Sequence, residues 1–111
     1  MRKPKPLIRG AVVYLINDTH PYLVVSHDLA NKYADTIIVI RLSSRHKRMD
    51  LKTHAVVNYN DSIVLAEDIQ TVRKSSVRTI VHVVNEMSMK EVDKCLKAAL
   101  DLEDLGEKNH V

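Results

Sequence analysis

This sequence predicts a mainly β, α+β fold: a small antiparallel barrel with a C-terminal helix. Three observations carry that expectation. Six short runs rich in Val, Ile and Thr are separated by turn signals, the pattern of strands packed on a core. A single segment, near residues 88–100, has apolar residues at helical spacing. The 111 residues are 45% apolar yet include no Trp or Phe, so the core must be Val, Ile and Leu. That length suits one domain over residues 1–111.

The elements follow in order. Residues 1–8 are basic and contain Pro4 and Pro6, which suggests an extended arm. Residues 11–16 are almost continuously apolar, hence a buried strand. Asn17-Asp18-Thr19 reads as a turn, and Pro21 opens the second strand where it need not donate. Tyr22-Leu23-Val24-Val25 continues that strand. A short helical turn is expected next, capped by Ser26 or Asp28 and closed by Asn31. Residues 36–42 form the third strand, and residues 43–52 lack an apolar period and read as a loop. Residues 53–57 are the fourth strand, and Asn58-Tyr59-Asn60-Asp61 is a turn. Residues 62–65 are the fifth strand, with 69–72 extending it or following a bulge. Lys74-Ser75-Ser76 turns the chain into a sixth strand over 77–84. For the helix, Ser88 with Glu91 three residues on reads as a capping box. Met89, Val92, Cys95, Leu96 and Ala99 share its apolar face. Gly106 stops any extension, and residues 103–111 are an acidic tail.

Composition narrows the function. Residues 1–84 hold thirteen Lys/Arg against seven Asp/Glu, whereas residues 85–111 hold four against seven. A basic body points to a polyanionic partner. Two glycines exclude Gly-rich phosphate loops. Cys95 is the single cysteine, which excludes an internal disulfide and a multi-thiolate zinc site and fits the cytoplasm. No signal-peptide pattern and no run near 20 apolar residues is present, so neither secretion nor a membrane partner is expected. The histidines lack metal-ligand spacing, so no metal and no cofactor are expected. His27 and His54 suit structural positions, His82 a satisfied and partly buried one, and Cys95 inert core.

The chemistry-bearing stretch is the end of the third strand. Arg41, Ser43, Ser44, Arg45, His46, Lys47 and Arg48 deliver hydroxyls and cations to one end of a buried strand. A phosphate ester calls for that arrangement. The competing role for the charges is a loop that keeps an edge strand from pairing.

These residues belong to a longer collinear series. It contains His20-Pro21, Leu23-Val24-Val25, Asp28, Asn31, Thr36, Ile38-Val39 and Leu42-Ser43-Ser44. It continues in Thr53-His54, in the run from Asp61 to Val72, and in Met89, Val92, Asp93 and Leu96, with Arg9-Gly10 upstream. The series resembles the MazF/PemK (Kid-like) toxins of type II toxin–antitoxin systems, over most of residues 9–102. The resemblance implies an SH3-like barrel of the MazF/CcdB type. It also implies a homodimer, a cognate antitoxin, and metal-independent cleavage of single-stranded mRNA. It places Ser43 at the family's catalytic Thr/Ser position and His20 at its catalytic arginine position. Arg41, Ser44, Arg45, His46, Lys47 and Arg48 become the RNA-binding set. Two departures stand out. Histidine replaces a permanent cation by a group that titrates near neutrality. The family's long Gly-rich loop between strands one and two shrinks to Asn17-Asp18-Thr19. Two alternatives stay open: a catalytically inactive, nucleic-acid- or protein-binding member, and a CcdB-like topoisomerase inhibitor.

Overall fold

The computed structural model describes residues 5–45 and 49–102. The elements are β1 (Ala11–Leu15), β2 (Pro21–Val24), α1 (Asp28–Tyr33), β3 (Thr36–Ser43), β4 (His54–Val56), β5 (Ile63–Arg73), β6 (Val77–Val83) and α2 (Glu86–Ala99), with a 3-10 turn at Lys74–Ser76. One six-stranded antiparallel sheet has the order β4-β5-β3-β2-β1-β6. Among the described residues β4 and β6 do not pair, so the sheet stays open and "barrel" overstates its closure. The expected β-rich α+β architecture with a C-terminal helix is otherwise the observed one.

The strands alternate between two apolar layers. Val12, Leu23, Ile40, Leu42 and Val64 face α2, where Val92 and Cys95 complete the layer. Ala11, Val13, Tyr22, Val24, Ile37 and Val39 form the other layer, sealed by Leu7, Val72, Val77 and Ile80. Both sheet faces are therefore covered, which explains the near-continuous apolar runs of β1 and β3.

Strand β5 serves both layers because of a bulge. Leu65 pairs with Arg41 but Ile69 pairs with Ile40, so Ala66, Glu67 and Asp68 are extra residues on β5. An odd insertion reverses the side-chain alternation. Val64 faces the helix layer before the bulge, Ala66 within it and Ile69 after it, and Val72 turns to the other layer. The split fifth strand expected from the sequence is this one bulged strand.

Two caps differ from expectation. Helix α1 is capped by His27, whose Nδ1 accepts from Leu29 N–H at 3.0 Å. Ser26 is buried instead, accepting from Ile38 N–H and donating to Asn31 Oδ1. Asn31 is likewise an interior tie rather than a helix stop, and donates to Ser26 O at 2.9 Å. Helix α2 starts earlier than the capping box implied. Asn85 is its N-cap and accepts from Ser88 N–H at 2.8 Å. The Ser88 hydroxyl donates to Asn58 Oδ1 at 3.0 Å, tying the helix to the segment after β4. Both corrections share a cause. Tertiary packing buries Ser26 and Ser88, and a buried hydroxyl goes where it is satisfied.

Candidate functional site

Three connections meet at one end of the sheet. The first is the β1–β2 turn, where Asn17 takes the left-handed region at φ 63°. Asparagine tolerates that region, and a short tight turn results. The second is the exit of β3. The third is the β4–β5 turn, in which Asn60 and Asp61 have φ of 51° and 52° and Ser62 N–H donates to Tyr59 O at 2.8 Å. Two successive left-handed residues make the hairpin turn that matches strand twist.

Together they enclose a cleft of about 490 Å³. The first turn contributes Thr19 and His20, the β3 exit contributes Arg41, Ser43, Ser44 and Arg45, and Tyr14 and Tyr59 form part of the wall. Among the described residues no carboxylate lines it. Two guanidinium groups, hydroxyls and an imidazole thus surround a space suited to an anion.

Each group is held differently. Asp18 Oδ1 accepts from His20 N–H at 2.8 Å and lies 3.1 Å from His20 Nδ1. Its Oδ2 accepts from the Tyr22 hydroxyl at 2.8 Å. The bond from the His20 backbone, helped by those from Tyr22 and the His20 ring, holds the Asp18 carboxyl below its usual value. Burial first, and then the Asp18 bond, push the Tyr22 phenol upward. Ser43 Oγ accepts from Arg45 N–H at 3.2 Å and makes a long 3.4 Å contact to Arg45 O. That weak donation leaves the hydroxyl proton available to a better acceptor. Among the described residues the buried Arg41 Nε has no hydrogen-bond partner, so this arginine is not committed to structure at that atom.

The tyrosines carry a feature that sequence reasoning missed. Tyr14 and Tyr59 hydroxyls lie 3.4 Å apart. Burial, then the Tyr14 bond, raises the Tyr59 phenol to about 12. Arg78 sits 5.6 Å over the Tyr14 ring, placed there by a register irregularity between Tyr14 and Leu15 of β1. The Tyr59 ring packs 5.4 Å from His82. His82, expected to be satisfied, has a buried Nε2 that finds no partner among the described residues. Only the alternation of β1, which puts Tyr14 opposite Pro21 at the strand's end, could have hinted at Tyr14. Nothing local marked Tyr59, which reaches the cleft through the hairpin turn.

Of the site residues expected from the sequence, His20, Ser43, Arg41, Ser44 and Arg45 come together in this cleft. His46, Lys47 and Arg48 lie outside the described residues. Among the described residues no three His, Cys, Asp or Glu side chains are grouped to hold a metal ion. No helix among them is long and apolar enough to cross a membrane.

Residues 11–100 match the model of a family described as PemK-like, MazF-like toxin of type II toxin–antitoxin systems. The chain is 27% identical over 88 residues to the endoribonuclease MazF of Staphylococcus saprophyticus, covering 74% of this chain and 73% of that one. Its fold is shared with a mycobacterial endoribonuclease at TM-score 0.80 and 21% identity, over 93% of this chain and 99% of the other. It is also shared with a chain of the MazE–MazF structure from Deinococcus radiodurans, at TM-score 0.73 and 20% identity, over 86% and 96%.

Proposed function

The chain belongs to the PemK-like, MazF-like toxin family, and on that premise we propose that it is a metal-independent endoribonuclease cutting single-stranded RNA in the cleft. The observation that carries this reading is the meeting of His20, Ser43, Arg41 and Arg45 around one carboxylate-free space. The endoribonuclease name of the staphylococcal relative supports the reaction class.

The reaction needs a base, an acid and positive charge. His20 holds the family's arginine position and acts as the base: its Nε2 takes the 2′-hydroxyl proton as the 2′-oxygen bonds the adjacent phosphorus. The bond from phosphorus to the 5′-oxygen breaks. The leaving oxygen takes a proton from solvent, and the imidazolium returns its own to solvent. The products are a 2′,3′-cyclic phosphate and a 5′-hydroxyl. Ser43 donates to a phosphate oxygen, while Arg41 and Arg45 balance the extra negative charge of the phosphorane. Ser44, His46, Lys47 and Arg48 extend the contact along the RNA backbone. The protein works as a homodimer, which covers exposed strand edges. A small antitoxin neutralises it, as the solved complex of a mycobacterial endoribonuclease with its cognate antitoxin suggests.

The test is incubation of the purified protein with a long mixed-sequence RNA in EDTA. Cleavage leaving cyclic phosphate ends supports the reading. Intact RNA with wild type and with His20→Arg alike overturns it, in favour of a binding protein on the same fold, as the histidine substitution and shortened loop would then indicate.

A further inference from the structure

We propose that Asp18 is the positioning residue of this site: it fixes the tautomer and ring orientation of His20 so that Nε2 faces the cleft as the proton acceptor. The proposal rests on the endoribonuclease reading for its kinetic half and on geometry alone for the rest.

The geometry is a relay of three side chains in one tight turn. Asp18 Oδ1 is 3.1 Å from His20 Nδ1. A carboxylate can only accept, so the imidazole must carry its proton on Nδ1. The other nitrogen, Nε2, then bears the lone pair, and among the described residues it has no hydrogen-bond partner. Tyr22 secures the carboxylate from behind. Its hydroxyl donates to Oδ2 at 2.8 Å, while its ring is buried in the layer with Val13 and Val24. The carboxylate is therefore oriented by a side chain anchored in the core, and Oδ1 is aimed by that anchor. A neutral imidazole with Nδ1–H bound to a carboxylate is the form that accepts a proton at Nε2.

The same turn explains how this chain manages without a long loop. Asp18 Oδ1 also accepts from His20 N–H, which sets the backbone just before Pro21. One carboxylate thereby places both the backbone and the ring of His20 within three residues of sequence.

The substitution that separates the roles is Asp18→Asn. An asparagine carbonyl in place of Oδ1 still accepts from His20 N–H and keeps the turn, but a neutral oxygen is a weaker acceptor for Nδ1–H and lets the ring shift toward the Nε2–H tautomer. We expect kcat to fall roughly 10–100-fold, as for other groups acting through a ligand's or base's far nitrogen, with KM little changed. Asp18→Glu should recover part of the loss, and Tyr22→Phe should cost less than Asp18→Asn. In a His20→Ala background, Asp18→Asn should have no further effect. Nitrogen-15 NMR of the His20 ring should show Nδ1–H in the wild type and a shift toward Nε2–H in Asp18→Asn. An unchanged tautomer, or the same kcat loss with His20 already removed, overturns the proposal. If the wild type cleaves no RNA at all, the ribonuclease reading fails, and the NMR tautomer still decides whether Asp18 positions His20.

Discussion

His54 and His20 each pair with a carboxylate on this sheet, and the two pairs do different work. His54 Nε2 meets Glu67 Oε1 at 2.6 Å, bridging β4 to the bulge of β5, with the histidine side chain only 5% exposed. His20 meets Asp18 two residues away, and its side chain is 51% exposed beside two arginines. The first pair joins two strands, with the imidazole shielded and the carboxylate half exposed, and so acts as a strut. The second joins neighbours within a turn and borders the cleft. A histidine–carboxylate contact is thus no sign of chemistry by itself; the surroundings of the imidazole decide.

The sharpest test of that contrast is to delete each imidazole. His20→Ala should lower the cleavage rate by about 100-fold or more while changing stability by no more than about 0.5 kcal/mol, measured by RNA cleavage and urea denaturation. His54→Ala should do the reverse: a loss of about 1–3 kcal/mol in stability and little change in rate per folded molecule. A large rate loss from His54→Ala without unfolding would dissolve the distinction.

The cationic side of the cleft gives the next effect. Replacing Arg41 and Arg45 by Ala should remove two phosphate contacts and flatten the slope of log affinity against log salt by about 1.4 for single strands. Substituting Lys52 and Lys94, which border the groove beside His54, should leave the slope nearly unchanged. Fluorescence anisotropy with a labelled oligonucleotide, read at several salt concentrations, distinguishes the two.

Acid unfolding probes the strut. Burial raises the Glu67 carboxyl, but bonds from His54 and Thr53 outweigh it, and the net shift is downward. A depressed folded value means the contribution is complete above the unfolded carboxylate value and is lost as pH falls through the folded one. Stability should therefore drop below about pH 4.5, more steeply in the wild type than in Glu67→Gln. Equal acid limbs in denaturation curves would contradict the strut.

The smallest effect concerns the groove beside His54, which also exposes part of the Cys95 site. Burial, then Glu91 and Glu67, push the Cys95 thiol to about 11. At pH 8 about a thousandth is thiolate, so iodoacetamide should label the native protein far more slowly than the unfolded one. Rapid native labelling, followed by mass, would mark that groove as reactive.

Much of this was legible in the residues. The strand count, the split β5, the turn at Asn60-Asp61 and the convergence of His20 with Ser43 followed from local pattern and from the collinear family motif. Ser26 and Ser88 misled as caps because a serine before a helix looks the same whether solvent or core surrounds it. Tyr14 and Tyr59 escaped notice because they are separated by 45 positions and only the sheet and a hairpin bring their hydroxyls together.

The sequence by itself determined which segments are strands, because β-branched runs between turn residues have few other stable states. It also determined the chemical inventory of the β3 exit, since residue types are written there directly. Tertiary structure alone decided which groups share the cleft, and which histidine bridges two strands and which borders the cleft. Those outcomes depend on burial and on distances across strands that pairing and the three-residue bulge set. Desolvation and hydrogen-bond partners, the quantities that make a side chain structural or reactive, exist only once distant segments have met.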